Sequence, residues 1–376
     1  MKGTQRRGRS RPPYKQRYRR PGMPRRIRTL RQLLASCCAS SLAILVLLGA
    51  TECLSVLAAP PRAEAAGWRV VKRIPWGDGP RQIGRNRLWF PNLMALGGGF
   101  LWYCDRDGKR LVRIDVDGGP DRAFSLDRPE IGAGWIAAGV AGTTDGPCLL
   151  VMNREEYEAW QKDPAHIVRH QVLAYDRDMR LTKRTNFGIP SKAAPELDWI
   201  AVTDDGSLFA RSTDPVGEGE TQALTCVEPS GKIAWYQQRK GDQADRYDAI
   251  VAAGNKLYLQ QGALRIQGRP VQITIKVFSR HGVTKETHKL TGSWLAGVDG
   301  QGTMYVLGQG GGEDSSASGP VLVRRYSREG RLLDRISLPV GPSSAATSVL
   351  LADRRGVLYL VDGSNDDAMV VWRHGP

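Results

Sequence analysis

One pattern, repeated six times, restricts what this chain can fold into more than any other feature. A turn or small residue is followed by apolar residues, usually with an aromatic, that open a short strand. The copies are "GFLWYCD", "PCLLVMN", "GSLFARS", "NKLYLQQ", "GTMYVLG" and "GVLYLVD". One equivalent position in each is Trp102, Leu150, Phe209, Tyr258, Tyr305 and Tyr359, at intervals of 48, 59, 49, 47 and 54 residues. A period of roughly fifty, made of strand signals with hardly any helical periodicity, is what a propeller blade of four short strands requires. The 43 glycines and 22 prolines suit the turns such a fold needs.

A second mark follows each first one: an apolar residue, three mostly polar ones, then glycine. It runs Ile114 to Gly118, Val227 to Gly231, Phe278 to Gly282, Tyr326 to Gly330 and Val371 to Gly375. The second copy departs, with Met179 where glycine is expected after Tyr175. The glycine predicts a tight hairpin with positive φ at the exit of a third strand. A fourth strand follows each hairpin, as in "KIAWYQQ" and "RLLDRISL", but the last copy stops at "VVWRHGP". The missing strand stands at the other end, "WRVVKRIP" at 68–75. The expectation is an all-β, six-bladed β-propeller over residues 67–376, closed by an N-terminal strand in the last blade. Closure removes a sheet edge that would otherwise invite aggregation.

The formal charge of +16 invites a nucleic-acid reading, but its distribution argues against one. Residues 1–65 carry 14 Lys/Arg against Glu52 and Glu64, and the remainder carries 40 basic and 36 acidic side chains. The surplus belongs to the leader, and no nucleic-acid partner is expected. Residues 1–32 read as a disordered basic tail, 33–59 as a hydrophobic signal or membrane-anchor segment, and 60–66 as a linker with a cleavage region near Ala65. Two explanations of the long basic lead stay open. Translation begins at Met23 rather than Met1, giving an ordinary signal, or the segment stays as an N-in anchor obeying the positive-inside rule. The uncharged stretch 33–51 is about long enough to span a bilayer. Either way the propeller is expected outside the cytoplasmic membrane, anchored or secreted.

Strong catalytic signatures are missing from the sequence. It contains no GxSxG elbow and no phosphate loop, and "LGGGF" reads as a hairpin. Cys104, Cys148 and Cys226, widely spaced, read as small buried hydrophobes. His166 and His170 lead into a strand, where a spacing of four separates the rings by about 13 Å, too far for one metal ion.

"LWYCDRDGKRLVRIDVDGG" (101–119) resembles the NHL repeat: a strand ending in Asp, a short turn, and an Arg-Ile-like pair opening the next strand. "LYLVDGSNDDAMVVWRHG" (358–375) is a looser version, and the ring looks like the six-bladed TolB-like/NHL propeller group. That resemblance implies a fold and leaves activity open, because such rings host lyases, lactonases, peptide binders and scaffolds.

Two sets of candidate residues lie on the face where the innermost strands begin and second strands connect to third. The connections are long: "NREEYEAWQKDPAH", read as a short helix, "STDPVGEGETQ", "GQGGGEDSSASGP" and "DGSNDDA". The last three hold Asp214, Glu218, Glu220, Glu313, Asp314, Asp362, Asp366 and Asp367 without a Lys or Arg. This acidic rim suits a cationic partner or a weak site for Ca²⁺ or another divalent cation, with ordinary solvated turns as the competing reading. No other cofactor is expected. The innermost strands place Trp135, Trp199, Tyr247 and Trp294 near the channel mouth, with Asn92, Asp198 and Asp248 beside them. Aromatic faces with carboxamide and carboxylate acceptors hold sugar rings; inter-blade packing is the alternative.

The leading expectation is therefore a non-enzymatic binding module presenting an acidic, aromatic-lined face to a cell-envelope glycan, peptide or protein. The alternative, implied by resemblance to the SMP-30/lactonase branch, is a hydrolase in which a divalent cation held by Glu, Asn and Asp activates water. Asn92, Asp198 and Asp248 match part of that set, without a clear first-strand Glu. A structural subunit of an envelope assembly is the third.

Overall fold

A computed structural model describes residues 67–376 apart from 78, 80, 85–92, 107, 133, 164–165, 189–196, 215–220, 241–246, 265–270, 283, 310–320, 342–347 and 376. The chain divides into two units, Met1–Pro61 and Arg62–Pro376, of which the first lies outside the described residues. The leader segments at 1–32, 33–59 and 60–66 therefore lie outside them too. No helix among the described residues is long and apolar enough to cross a membrane.

The second unit is a six-bladed β-propeller of four-stranded antiparallel sheets. Blade 1 runs from Met94–Gly97 to Arg122–Ser125, and blade 2 from Trp135–Gly142 to Leu181–Gly188. Blade 3 runs from Leu197–Val202 to Ile233–Lys240, blade 4 from Tyr247–Ala253 to Thr284–Thr291, and blade 5 from Trp294–Val298 to Leu332–Ser337. Blade 6 takes Ser348–Ala352, Leu358–Asp362 and Ala368–His374 from the C-terminal end and Trp68–Pro75 from the N-terminal end. The repeat marks account for the packing. Trp102, Leu150 and Phe209 are 0% exposed, and Tyr258, Tyr305 and Tyr359 are buried with them. Each stands on a second strand and fills the wedge between neighbouring sheets.

Ring closure joins residues Trp68 to Pro75 with His374 to Ala368, antiparallel, with a register shift between Val70 and Lys72. The closing strand is held on both flanks. Trp68 is 1% exposed, and its indole N–H donates to the Ser337 carbonyl of blade 5 at 2.8 Å. Lys72 reaches blade 1, donating to the Gly119 carbonyl at 2.8 Å and pairing with Asp121 at 3.1 Å. Arg373, on the adjoining strand, pairs with Asp117 of blade 1 at 2.7 Å.

The hairpin glycines behave as their positions require. Gly118, Gly231, Gly282 and Gly330 have φ of +100°, +90°, +76° and +83°. Met179 has φ +62° in the same turn of blade 2, so the blade geometry holds a residue with a Cβ where glycine would be relaxed. What holds it is burial: Met179 is 3% exposed in the core around Ile131 and Tyr175, and its carbonyl accepts from Arg128 Nη1 at 3.0 Å. Left-handed backbone costs an L-residue about 1–2 kcal/mol. Met179→Ala and Met179→Gly both lose the buried side chain, but only glycine relieves the backbone. Met179→Gly should therefore be the more stable of the two by about 1 kcal/mol in denaturant melts; the opposite order would remove the case for strain.

Candidate functional site

The two faces of the ring are built differently. On the lower face, the short turns between first and second strands are stitched to one another. Gly98 N–H donates to the Thr143 carbonyl at 3.0 Å, Asp204 N–H to Gly254 at 2.9 Å, and Gly300 N–H to Arg354 at 2.9 Å. Arg354 of blade 6 also pairs with Asp204 of blade 3, Nη1 to Oδ2 at 2.8 Å, linking turns from opposite sides of the ring. The upper face carries the beginnings of the innermost strands and the connections from second to third strands.

The central channel is lined by the innermost strands of all six blades and has a volume of about 140 Å³. Its walls are small and apolar, among them Ala201, Val251, Ala296 and Leu351. Of the four aromatics expected at its mouth, Trp199 and Trp294 line it and come together, ring centroids 5.4 Å apart and tilted by 38°. Both are half-buried, and the Arg211 guanidinium lies 5.3 Å from the Trp199 ring. Trp135 goes elsewhere, into a cleft between blades 1 and 2. Tyr247 and Asp198 begin innermost strands, but their side chains, like Asn92 altogether, lie outside the described residues.

The start of the innermost strand is irregular in four blades. Register shifts between Ala137 and Gly139, Leu197 and Trp199, Tyr247 and Ala249, and Leu295 and Gly297 leave Ala138, Asp198, Asp248 and Ala296 as bulge residues. A bulge takes carbonyls and N–H groups out of the ladder, and in blades 2, 4 and 5 side chains of the preceding blade bond to backbone groups there. Arg106 donates to the Ala137 and Ala138 carbonyls at 2.8 and 3.2 Å. Arg211 donates to the Asp248 carbonyl at 2.8 Å. Gln260 spans the Ser293 carbonyl, at 3.1 Å, and the Leu295 N–H, at 2.6 Å.

The cleft beside Trp135 has a volume of about 550 Å³. Its floor is apolar, with Leu149, Val151, Ile131 and Met152 almost fully buried. Its rim is formed by Arg106, Lys109 and Asp127 of blade 1 and by Arg154 and Tyr157 of the helix Arg154–Lys162. That helix starts where Asn153 accepts from the Glu156 N–H at 3.0 Å, and it is seated by buried Trp160, stacked on Tyr157. The rim cations were not singled out in the sequence, because two segments far apart in the chain, the turn after Asp105 and the start of the helix, supply them.

Of the acidic rim, Asp366 and Asp367 are exposed. Asp362 is 6% exposed and accepts from Ser348 Oγ and Ser364 N–H at 3.3 and 2.9 Å, so it shapes its loop from within. The Asp214 side chain, Glu218, Glu220, Glu313 and Asp314 lie outside the described residues. Among the described residues no group of three or more His, Cys, Asp or Glu is placed to hold a metal ion. His170 is fully buried, stacked on Phe187 at 5.5 Å, while His166 is exposed ahead of the strand. Cys104, Cys148 and Cys226 are free and buried, and burial pushes their thiols up to about 12. At neutral pH they are thiols, and poor nucleophiles.

No family model matches the chain, and no curated protein matches it. Solved structures of similar fold include the calcium-binding protein regucalcin from Agrobacterium tumefaciens, 13% identical over 81% of this chain and 94% of that one, TM-score 0.44. Others are the β-propeller domain of the Trilobed protease from Pyrococcus furiosus (12% identical, 74% and 81% covered, TM-score 0.43) and the major allergen of Malassezia sympodialis (12%, 77% and 93%, TM-score 0.43). These are likenesses of fold alone.

Proposed function

We propose that this protein is a non-enzymatic binding propeller exported beyond the cytoplasmic membrane, which engages a cell-envelope glycan with its upper face. The observation that carries the reading is the aromatic pair Trp199–Trp294, half-buried at the entrance of a channel whose far side is bridged by Arg354 and Asp204. Two indole rings held 5.4 Å apart offer apolar faces to sugar C–H groups. The Arg-rich lead and uncharged 33–51 stretch support export and a membrane contact through the N-terminal segment. Kinship with the TolB-like/NHL group belongs to the same reading. It is supported by the segment 101–119, where the Asp that ends one strand pairs with the Arg that opens the next, Asp105 Oδ2 to Arg110 Nε at 2.9 Å.

The test is titration of soluble cell-wall glycan fragments into the full chain. Trp199→Ala with Trp294→Ala is expected to weaken binding at least about tenfold, since aromatic contacts are worth about 1 kcal/mol each beyond area. Unchanged binding by the double variant would end the glycan reading. The metal-dependent hydrolase predicts a different result, a divalent ion co-purifying stoichiometrically and lost in Asp198→Ala.

A further inference from the structure

The cleft between blades 1 and 2 has a chemistry distinct from that of the channel mouth. Its floor of Leu149, Val151, Ile131 and Met152 offers no side-chain donor, and no acceptor beyond the weak thioether sulfur of Met152. A sugar sunk there would lose the hydration of its hydroxyls without compensation. An apolar body would gain from the same floor, and a volume of about 550 Å³ lies in the range of small-molecule sites. Trp135, half-buried at the start of its strand, supplies one flat wall.

The rim selects charge. Arg106 is fixed in place because Nε and Nη2 are already committed to the Ala137 and Ala138 carbonyls. Those bonds orient the guanidinium without neutralising it, because both acceptors are backbone carbonyls rather than carboxylates. Lys109 and Arg154 add two exposed cations. Among the described residues the opposing charges are Asp127, 4.0 Å from Lys109 Nζ, and Glu158, 2.9 Å from Arg154 Nε. Exposed pairs of this kind are weak and readily exchanged for another anion. The rim thus retains positive potential above an apolar pocket.

We infer that this cleft is a second binding site, for a small organic acid with an apolar body, its carboxylate at the Arg106–Lys109–Arg154 rim and its chain or ring against Trp135 and Met152. The inference goes beyond the glycan reading and stands on different residues. The probe is 4-phenylbutyrate, with the neutral 4-phenylbutanol as its uncharged counterpart, each titrated calorimetrically into the full chain. Arg106→Met would also break two inter-blade hydrogen bonds, so the charge is tested at the two exposed positions. Lys109→Glu with Arg154→Glu is expected to leave the melting temperature unchanged and to weaken phenylbutyrate about tenfold. Binding of the alcohol should stay the same in that variant. Met152→Lys, placing an ammonium in the floor, is expected to weaken both ligands. Failure of phenylbutyrate to bind would overturn the inference while leaving glycan binding at Trp199 and Trp294 as a separate result. Equal binding by the charge-reversed and parent proteins would overturn it as well.

Discussion

Replacing Trp68 by alanine is expected to destabilise the propeller by about 3–5 kcal/mol, the range for removing a large aromatic from a well-packed core. The residue is 1% exposed and packs with Val323, Leu338, Leu358 and Leu360, so its removal leaves a cavity rather than an exposed gap. It also orphans the Ser337 carbonyl, which accepts from the indole N–H at 2.8 Å. Trp68→Phe should recover most of the packing but not that hydrogen bond, leaving a loss of about 1–2 kcal/mol. Deleting 67–75 should go further and leave the sheet of blade 6 one strand short, with an unpaired edge that promotes association. Denaturant melts of the two point variants, and light scattering of the deletion, decide the matter. If Trp68→Ala melts like the parent, the N-terminal strand does not lock the ring.

The second large effect is expected from Asp105→Ala. Asp105 is 2% exposed and anchors Arg110, whose guanidinium in turn holds the carbonyls of Gly79 and Gln82 at 2.7 and 2.8 Å. The carboxylate also accepts from Gly84 N–H at 3.2 Å and Gly108 N–H at 2.9 Å. Alanine leaves a buried cation without its counter-charge, which costs about 3–5 kcal/mol. The double change Asp105→Ala with Arg110→Met should regain part of that loss, because no charge then remains stranded. Complete additivity in the double-mutant cycle would show that the two residues act independently. Hydrogen exchange offers a second readout, since the 77–84 segment should lose protection in the single variant.

The sequence disclosed the ring because a structural repeat writes the same demand several times. Six equivalent large side chains fill six equivalent wedges, and a missing fourth strand at one end has a match at the other. Even the exception at Met179 marked a real turn, with positive φ on a residue that disfavours it. The site was less legible for a physical reason. Trp135, Trp199 and Trp294 occupy matching places in the repeat, yet the channel collects only two of them, and the bulges at Ala138, Asp198 and Ala296 do not fall at the same place relative to the tryptophan. A bulge has no side-chain signature of its own, so the redirection of Trp135 toward blade 1 could not be read from spacing. Arg106 looked like a turn residue in "CDRDGK", and only the contact with the next blade gives it a role. Asp248 stood out for its carboxylate, whereas the bond from Arg211 goes to its backbone carbonyl.

The pairing of Trp68 with His374 also fixes how this molecule would respond to force. Because the two strands run in opposite directions, with the first residue of one beside the last of the other, tension applied through the segments that flank them loads a single rung of the ladder at a time. The strand would unzip from that end instead of shearing all its rungs together. A propeller tethered at one end only never experiences that load, whereas a fusion pulled from both ends would open first in blade 6.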